Sequence, residues 1–150
     1  MTSPIIIART PEDILRCLEV MQELRTTLQP DEFLTKVQTQ QREDGYELVF
    51  LEAGDEVRAV AGYRIANSLA WGRFLYVDDL VTRSSDRSHG YGSALFAWLI
   101  DRARLERCDQ FHLDSGVQRF DAHRFYRRKG LEITSHHFAL RLEAHNGSLV

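Results

Sequence analysis

The segment from Phe74 to Arg104 constrains the fold more than any other part of the sequence. It begins with a β-rich stretch that ends at Thr82, continues through a polar turn containing Gly90 and Gly92, and finishes in an amphipathic helical pattern. A strand, a glycine turn and a helix in this order leave free backbone N–H groups at the helix N-terminus, where they attract an anion. Because glycine has no Cβ, the anion can approach the backbone closely. The segment therefore predicts an anion site, most plausibly for a diphosphate.

Two common phosphate-binding motifs fit this turn poorly. A P-loop needs Lys followed by Ser or Thr after its last glycine, and this chain has Ser93 and Ala94 there, so a P-loop is nearly excluded. The dinucleotide fingerprint needs a third small residue where Leu95 stands, and Asp114 matches its ribose-binding acid only loosely. A dinucleotide site is therefore disfavoured.

A third design fits both this turn and a second part of the chain. The motif Arg87-x-x-Gly90-x-Gly92 resembles the acetyl-coenzyme A signature of the GCN5-related N-acetyltransferases (GNAT). The segment from Arg119 to Leu131 is similar to the last helix of that family, with its Ala-x-x-x-Tyr-x-x-x-Gly pattern. The resemblance covers roughly residues 5 to 142 and implies an N-acetyltransferase that uses acetyl-CoA as co-substrate. Arg119 replaces a frequent family Asn, which favours an Arg contact to phosphate or substrate.

The order of strands and helices predicts an α/β (α+β) fold. We expect one domain over residues 1–150, with its core at about 5–142 and the order β-α-α-β-β-β-α-β-α-β-β. This order implies a mixed, mostly antiparallel sheet with helices on both faces. The expected strands are Ile5–Arg9, Tyr46–Glu52, Val57–Ala66, Phe74–Thr82, Gln110–Ser115, Glu132–Thr134 and Phe138–Leu142, and the tail Glu143–Val150 is expected to be polar and frayed.

Three local features of this fold bear on the site. Gly62, inside a strand, marks a bulge or a close backbone approach. In the resembling fold the fourth and fifth strands are parallel and splay apart, and the pantetheine arm lies in the gap, pairing with the backbone of Leu80, Val81 and Thr82. The helices between the first two strands, one starting at Thr10 and one over about 31–43, wall the acceptor site in the relatives.

Composition narrows the possible partners. A formal net charge of −3 argues against general nucleic-acid binding, which favours a basic footprint. Cys17 and Cys108 are isolated, and the six histidines show no metal-ligand spacing, so no disulfide framework or metal is expected. The apolar run near the N-terminus has three residues and predicts neither a signal peptide nor a membrane span. The expected location is the cytoplasm, and the resemblance allows a homodimer.

Acetyl transfer to an amine needs a neutral amine, a polarised thioester carbonyl and a protonated leaving thiolate. At pH 7 an alkylammonium pays roughly 4–5 kcal/mol to lose its proton, and Asp78 or Asp79 can accept it as base. Neighbouring strand residues face opposite sides, and a bulge, expected from the relatives, changes which one reaches the acceptor, so the choice stays open. Tyr126 is the candidate general acid, and a backbone N–H near Leu80 or Val81 polarises the carbonyl.

The resemblance also supplies the expected coenzyme contacts. The diphosphate is expected to lie mainly on backbone N–H groups, and the last helix is expected to line the rest of the coenzyme. The turn residues are Arg87, Ser88, His89, Gly90, Tyr91, Gly92 and Ser93, and the helix residues are Arg119, His123, Phe125 and Arg128.

The acceptor is expected to be a primary amine on a small molecule. The C-terminal third looks most like the aminoalkylphosphonate N-acetyltransferases, which act on small amines with an anionic group, and Arg119 or Arg124 is placed to supply the counter-charge. Acetylation of a protein lysine or N-terminus and a non-catalytic acyl-CoA-binding module are the alternatives.

Overall fold

A computed structural model of the chain describes residues 3–142. These residues form two compact units, the first ending at Leu113 and the second beginning at Asp114. The first unit contains a five-stranded sheet and four α-helices, and the second contains one α-helix. Across the described residues, no helix combines the length and the apolar character needed to cross a bilayer.

The sheet has its strands in chain order. β1 pairs with β2, β2 with β3 and β3 with β4 in antiparallel fashion, and β5 lies parallel to β4. The mixed, mostly antiparallel sheet is therefore confirmed, although β1 and β5 are shorter than predicted and β3 and β4 are longer. The strands are β1 (Ile5–Ile7), β2 (Glu47–Ala53), β3 (Glu56–Ser68), β4 (Gly72–Thr82) and β5 (Gln110–Leu113).

The helices follow the local sequence signals closely. They are α1 (Pro11–Arg16), α2 (Leu18–Leu24), α3 (Pro30–Asp44), α4 (Tyr91–Leu105) and α5 (Phe120–Arg128), with a 3-10 turn at Ser84–Asp86. The Thr10 hydroxyl accepts a hydrogen bond from the Asp13 amide at 3.1 Å and caps α1. The one helix predicted to start at Thr10 is divided into two helices, α1 and α2. The Cys17 amide donates a hydrogen bond to the Ile14 carbonyl (3.0 Å) in a tighter turn, and this turn interrupts the helix.

Apolar side chains alternate between the two faces of the sheet. Val60 and Val81 pack with Ile14 and Phe33 of the first three helices. On the opposite face, Ala61 and Leu75 pack with Leu95 and Leu99 of α4. Two separate apolar clusters result, one on each side, and the prediction of helices on both faces is confirmed.

The predicted strand pair near the C-terminus is wrong within the described residues. Residues 131–142 form neither strand nor helix, and Ile133, Phe138, Leu140 and Leu142 are between 69% and 92% exposed. The alternation of apolar residues that predicted the strands is present, but a strand pair is stable only when its apolar face is buried. The predicted frayed tail, Glu143–Val150, lies outside the described residues.

Candidate active site

β4 contains a bulge at the predicted aspartate pair. Gly62 of β3 lies opposite Asp79, whereas Tyr63 lies opposite Val77, so Asp78 is an extra residue on β4. The extra residue brings both carboxylates to the sheet face that α1, α2 and α3 cover, where Asp79 meets groups from the helical side and Asp78 meets Arg64. The bulge expected from the resemblance is therefore present, and it removes the usual alternation that would separate the two side chains.

Asp79 is held by two partners, one on each oxygen. The Tyr46 hydroxyl donates a hydrogen bond to Oδ2 at 2.7 Å, and Arg25 Nε donates to Oδ1 at 2.8 Å. Burial raises the pKa of Tyr46 well above its ordinary value, and the negative charge of Asp79 raises it further. The phenol therefore remains protonated and acts as a permanent donor to the carboxylate.

Gly62 makes room for this phenol. A Cβ built on Gly62 would lie 1.8 Å from the Tyr46 hydroxyl oxygen, far inside van der Waals contact. Both predictions for Gly62 are confirmed. The strand register shifts directly after Gly62, which marks the bulge, and the Tyr46 phenol is the group that approaches the backbone closely.

Asp78 is held by an arginine fork. Arg64 Nε donates to Oδ2 and Arg64 Nη2 donates to Oδ1, both at 2.8 Å. The hydrogen bond to Asp78 is the largest cause of the raised pKa of Arg64. Arg25 Nη2 also donates to the Asp78 backbone carbonyl at 2.8 Å. Neither aspartate is a simple solvated charge at the sheet edge.

The part of β4 that follows the two aspartates is not paired with β5. β4 pairs with β5 only from Phe74 to Val77, while β4 itself runs on to Thr82. On its other edge this last part of β4 remains paired with β3, from Leu80 opposite Ala61 to Thr82 opposite Ala59. This last part of β4 extends beyond the end of β5 and offers backbone that an extended ligand chain can pair with, whereas the predicted splaying of the two parallel strands stays a prediction.

The glycine turn leads directly into α4. Gly90 precedes the helix with a φ of 81°, and no side chain caps this N-terminus. The first hydrogen bond of the helix runs from the Ala94 amide to the Gly90 carbonyl at 3.0 Å, so the amides of the first turn point outward. Ser88 also has a positive φ, 72°, which is unusual for a residue with a side chain. The residues of the turn from Arg87 to Gly90 are exposed.

A buried aspartate anchors the start of this turn. Asp86 is 7% exposed and accepts hydrogen bonds from Arg83 Nε at 2.6 Å and Arg58 Nη1 at 3.1 Å. The hydrogen bond from Arg83 is the main cause that lowers the pKa of Asp86, and Arg58 adds to it. The Asp86 carbonyl lies 3.0 Å from Nδ1 of His89. Asp86 therefore connects strand β3 to the turn that precedes α4.

The second unit carries the candidate acid. Tyr126 is half-buried on α5, and burial raises its pKa while the Arg119 guanidinium partly offsets that rise. Phe125 packs edge-on against Tyr126, with ring centroids 5.6 Å apart. Nε2 of His123 lies 2.8 Å from the Gly116 carbonyl, and Arg128 is exposed. Arg119 and Tyr126 are thus brought together within this unit.

Comparison with known proteins identifies the family. Residues 14–131 match the sequence model of the acetyltransferase (GNAT) family. The chain belongs to the GNAT family. This GNAT chain is 38% identical over 120 residues to the uncharacterized N-acetyltransferase YhdJ of Bacillus subtilis (strain 168), covering 79% of the chain and 84% of that protein.

Solved structures share the fold at low sequence identity. A transcriptional regulator from Bacillus halodurans C-125 superposes on this GNAT chain with a TM-score of 0.83 and 22% identity, over 93% of this chain and 99% of the other. A putative acetyltransferase from Agrobacterium tumefaciens str. C58 gives a TM-score of 0.80 and 22% identity with the same coverage. These likenesses confirm the GNAT fold, and the family identifies an acetyl-CoA-dependent acetyltransferase.

Several residues around the site were not predicted from the sequence. Arg25, Tyr46 and Arg64 surround the two aspartates, and Asp86 holds the turn. Only Tyr46 had a signal in the sequence, since Gly62 indicated that some group approaches the strand closely. Within residues 3–142, no group of three or more His, Cys, Asp or Glu side chains is arranged to hold a metal ion; the expectation of no required metal stays a prediction.

Proposed function

We propose that this GNAT enzyme transfers the acetyl group of acetyl-CoA to a primary amine on a small molecule. The observation that carries the proposal is the bulge in β4, which brings two aspartates together directly before the strand backbone that β5 leaves unpaired. A proton acceptor for the amine thus adjoins the backbone proposed to bind the pantetheine arm. A cytoplasmic location and a homodimer remain predictions.

The proposed reaction proceeds by direct transfer. The ammonium gives one proton to an aspartate, and the neutral nitrogen attacks the thioester carbonyl carbon. A backbone N–H near Leu80 or Val81 stabilises the negative charge on the carbonyl oxygen. The C–S bond then breaks and the CoA thiolate takes a proton from Tyr126. The nitrogen loses its second proton to water, Tyr126 recovers a proton from water, and the protonated aspartate releases its proton to solvent. An acetamide and free CoA are the products.

Of the two aspartates, we assign the base to Asp79. The Arg64 fork occupies both oxygens of Asp78, and such bidentate pairs are among the stronger hydrogen-bonded contacts in proteins. Both oxygens of Asp79 also accept hydrogen bonds, but Arg25 makes only one of them and the other comes from a neutral phenol, so Asp79 is not held by a bidentate guanidinium. Asp78 then serves to hold Arg64 beside the site.

For the coenzyme, we propose that the amides of residues 87–93 bind the diphosphate. The uncapped N-terminus of α4 and the positive φ of Gly90 support this assignment, because free amides and a helix dipole favour an anion. Arg119, His123, Phe125 and Arg128 are proposed contacts for the rest of the coenzyme, on the basis of the family resemblance. The same resemblance suggests aminoalkylphosphonates as one acceptor class.

Acetyl-CoA turnover tests the proposal. The purified chain is incubated with acetyl-CoA and either a panel of small primary amines or lysine-containing peptides, and a thiol reagent measures released CoA. We expect release with the small amines. Release only with peptides would assign the enzyme to protein acetylation, and calorimetric binding without any turnover would indicate a non-catalytic acyl-CoA module.

Variants of the two aspartates test the assignment of the base. Replacing Asp79 by Asn is expected to lower kcat roughly 100-fold or more, as for loss of a general base, with the acetyl-CoA dissociation constant unchanged. Asp78→Asn should have a smaller effect. Asp101, whose side chain on α4 is 79% exposed, provides the control, and Asp101→Asn should behave as wild type. Full turnover by Asp79→Asn would refute the assignment.

A further inference from the structure

Arg25 covers the outer side of the proposed base. It follows directly after α2, and its side chain is 52% exposed, whereas that of Asp79 is 13% exposed. Its Nε donates to Asp79 Oδ1 and its Nη2 donates to the Asp78 carbonyl, both at 2.8 Å. The guanidinium therefore lies between the carboxylate and solvent, on the side where the first helices meet the sheet.

Within residues 3–142, the hydrogen bonds of the Arg25 guanidinium leave some of its donors unused. Arginine carries five N–H donors in a fixed plane, and the two hydrogen bonds to β4 use two of them. The remaining donors belong to a side chain that is 52% exposed, and its planar fork suits a carboxylate or a phosphonate. Arg25 is therefore fixed on one edge and available to an anion on the other.

The proposed reaction changes the charge next to Arg25. Before the reaction, the negative charge of Asp79 balances the guanidinium. When Asp79 takes the proton of the acceptor ammonium, the carboxyl becomes neutral, and Arg25 loses the negative charge with which it is paired. An anionic group on the acceptor, bound to the outer edge of the guanidinium, would replace that charge as the proton moves.

We infer that the acceptor is a zwitterionic small amine, with a carboxylate or phosphonate close to the primary amine, and that Arg25 is the residue that selects for it. The inference rests on the proposed function. It differs from the sequence-based suggestion that Arg119 or Arg124 supplies the counter-charge, since Arg25 is the arginine that contacts the proposed base. In the second unit, Arg124 is paired with Asp121 instead.

The test compares matched amines. Each pair has the same chain length, one member with a terminal carboxylate or phosphonate and the other with a methyl group, for example 4-aminobutanoate and butylamine. The rate of CoA release gives kcat and KM for each with the wild-type chain, Arg25→Gln, Arg25→Lys and Arg42→Gln. Arg42 is a matched control, because it is an exposed arginine on α3 whose ion pair is with its neighbour Glu43 at 3.8 Å.

We expect the wild-type chain to prefer the anionic member of each pair by about 10- to 100-fold in kcat/KM, the range for a charged hydrogen bond. Arg25→Gln should bring the ratio close to one by raising KM for the anionic amines, with the acetyl-CoA KM unchanged. Arg25→Lys should keep part of the preference, and Arg42→Gln should keep all of it.

Two results would overturn the inference while the proposed function stands. The first is that the wild-type chain acetylates both members equally well or prefers the uncharged one. The second is that Arg25→Gln slows acetylation of both members by the same factor, which would limit Arg25 to orienting Asp79. If the chain binds acetyl-CoA but none of the amines, charged or uncharged, leads to release of CoA, the proposed function itself is refuted.

Discussion

Tyr46 occupies the space that a side chain on Gly62 would fill. Tyr46 directly precedes β2 and Gly62 lies in β3, and the phenol reaches across Gly62 to donate a hydrogen bond to Asp79 at 2.7 Å. Because the bulge in β4 lies opposite the same glycine, one small residue allows both the bulged strand and the donor that orients the carboxylate. The position of the proposed base therefore depends on a residue with no side chain.

Replacing Gly62 by Ala should test this dependence. The new methyl group would meet the ring of Tyr46 as well as its hydroxyl, with three atoms within 2.5 Å. The ring is buried, so we expect the free energy of unfolding to fall by about 1–3 kcal/mol, as for other overpacked cores, and turnover to fall with it. Urea denaturation measures the first effect, and CoA release measures the second.

Tyr46→Phe is the matched comparison for that variant. It keeps the ring and removes only the hydroxyl, so its stability should change less than that of Gly62→Ala. If Gly62→Ala unfolds at the wild-type urea concentration and keeps full activity, the close contact between these two residues has no functional role.

The turn before α4 should depend on Asp86. Its carboxylate holds Arg83 and Arg58, and its carbonyl contacts His89 of the turn. Asp86→Asn removes the negative charge that both arginines share, so the amides that follow lose their fixed arrangement. We expect the KM for acetyl-CoA to rise about 10-fold, the effect of one charged hydrogen bond, with kcat changed little.

Glu56→Gln is the control for Asp86→Asn. Glu56 is 57% exposed and pairs with the same two arginines, at 3.2 and 3.3 Å. It should leave the KM near the wild-type value. Equal effects of the two substitutions would mean that the loss of a negative charge beside the two arginines, and not the loss of the contact that anchors the turn, changes acetyl-CoA binding.

The sequence was sufficient for the sheet and for the glycine turn, because both depend on local patterns. Alternating apolar residues specify the strands, Thr10 specifies the start of α1, and the spacing of Gly90 and Gly92 specifies the turn. The contacts around Asp79 join residues that are distant in the sequence, since Tyr46 is 33 positions away and Arg25 is 54 positions away. No local sequence pattern predicts such contacts. The prediction of two C-terminal strands was wrong for a different reason. The local alternation of apolar residues around Phe138 is present, but these residues are not buried.

Stability should fall at alkaline pH because buried phenols resist ionisation. Burial raises the pKa of Tyr63 to about 12, from about 10 in the unfolded chain. Below about pH 10 the phenol is protonated in both states and its contribution to stability is complete. As the pH rises from about 10 to 12 the unfolded chain loses this proton first, so the free energy of unfolding decreases.

Urea denaturation at a series of pH values measures this effect. Tyr63→Phe has no proton to lose at this position, so its stability should decline less steeply in the alkaline range than that of the wild-type chain. The effect is partial, since Tyr46 also has a raised pKa and contributes in the same direction. Parallel curves for the two proteins would show that Tyr63 does not resist ionisation in the folded state.

Tyr126 should act as the acid that protonates the departing thiolate. Since burial raises the pKa of this phenol, it remains protonated and able to donate throughout the neutral range. A thiol such as that of cysteine has a pKa of about 8.5, below that of a phenol, so a thiolate leaves readily and the acid assists only moderately. We therefore expect Tyr126→Phe to lower kcat by about 10- to 100-fold, at the lower end of acid–base catalysis, with the KM for acetyl-CoA unchanged.

The pH profile separates this role from a purely structural one. If Tyr126 is the acid, wild-type kcat should be maintained beyond about pH 10, where an ordinary phenol is half ionised, because burial raises the pKa of Tyr126. Tyr126→Phe should show a lower kcat that is insensitive to this ionisation. Tyr63→Phe, which removes a hydroxyl from the apolar cluster on the α4 side of the sheet, controls for the loss of a buried phenol. Unchanged turnover in Tyr126→Phe, or an equal loss in Tyr63→Phe, would contradict the assignment, because a phenol that donates the proton to CoA cannot be replaced by a ring that has none.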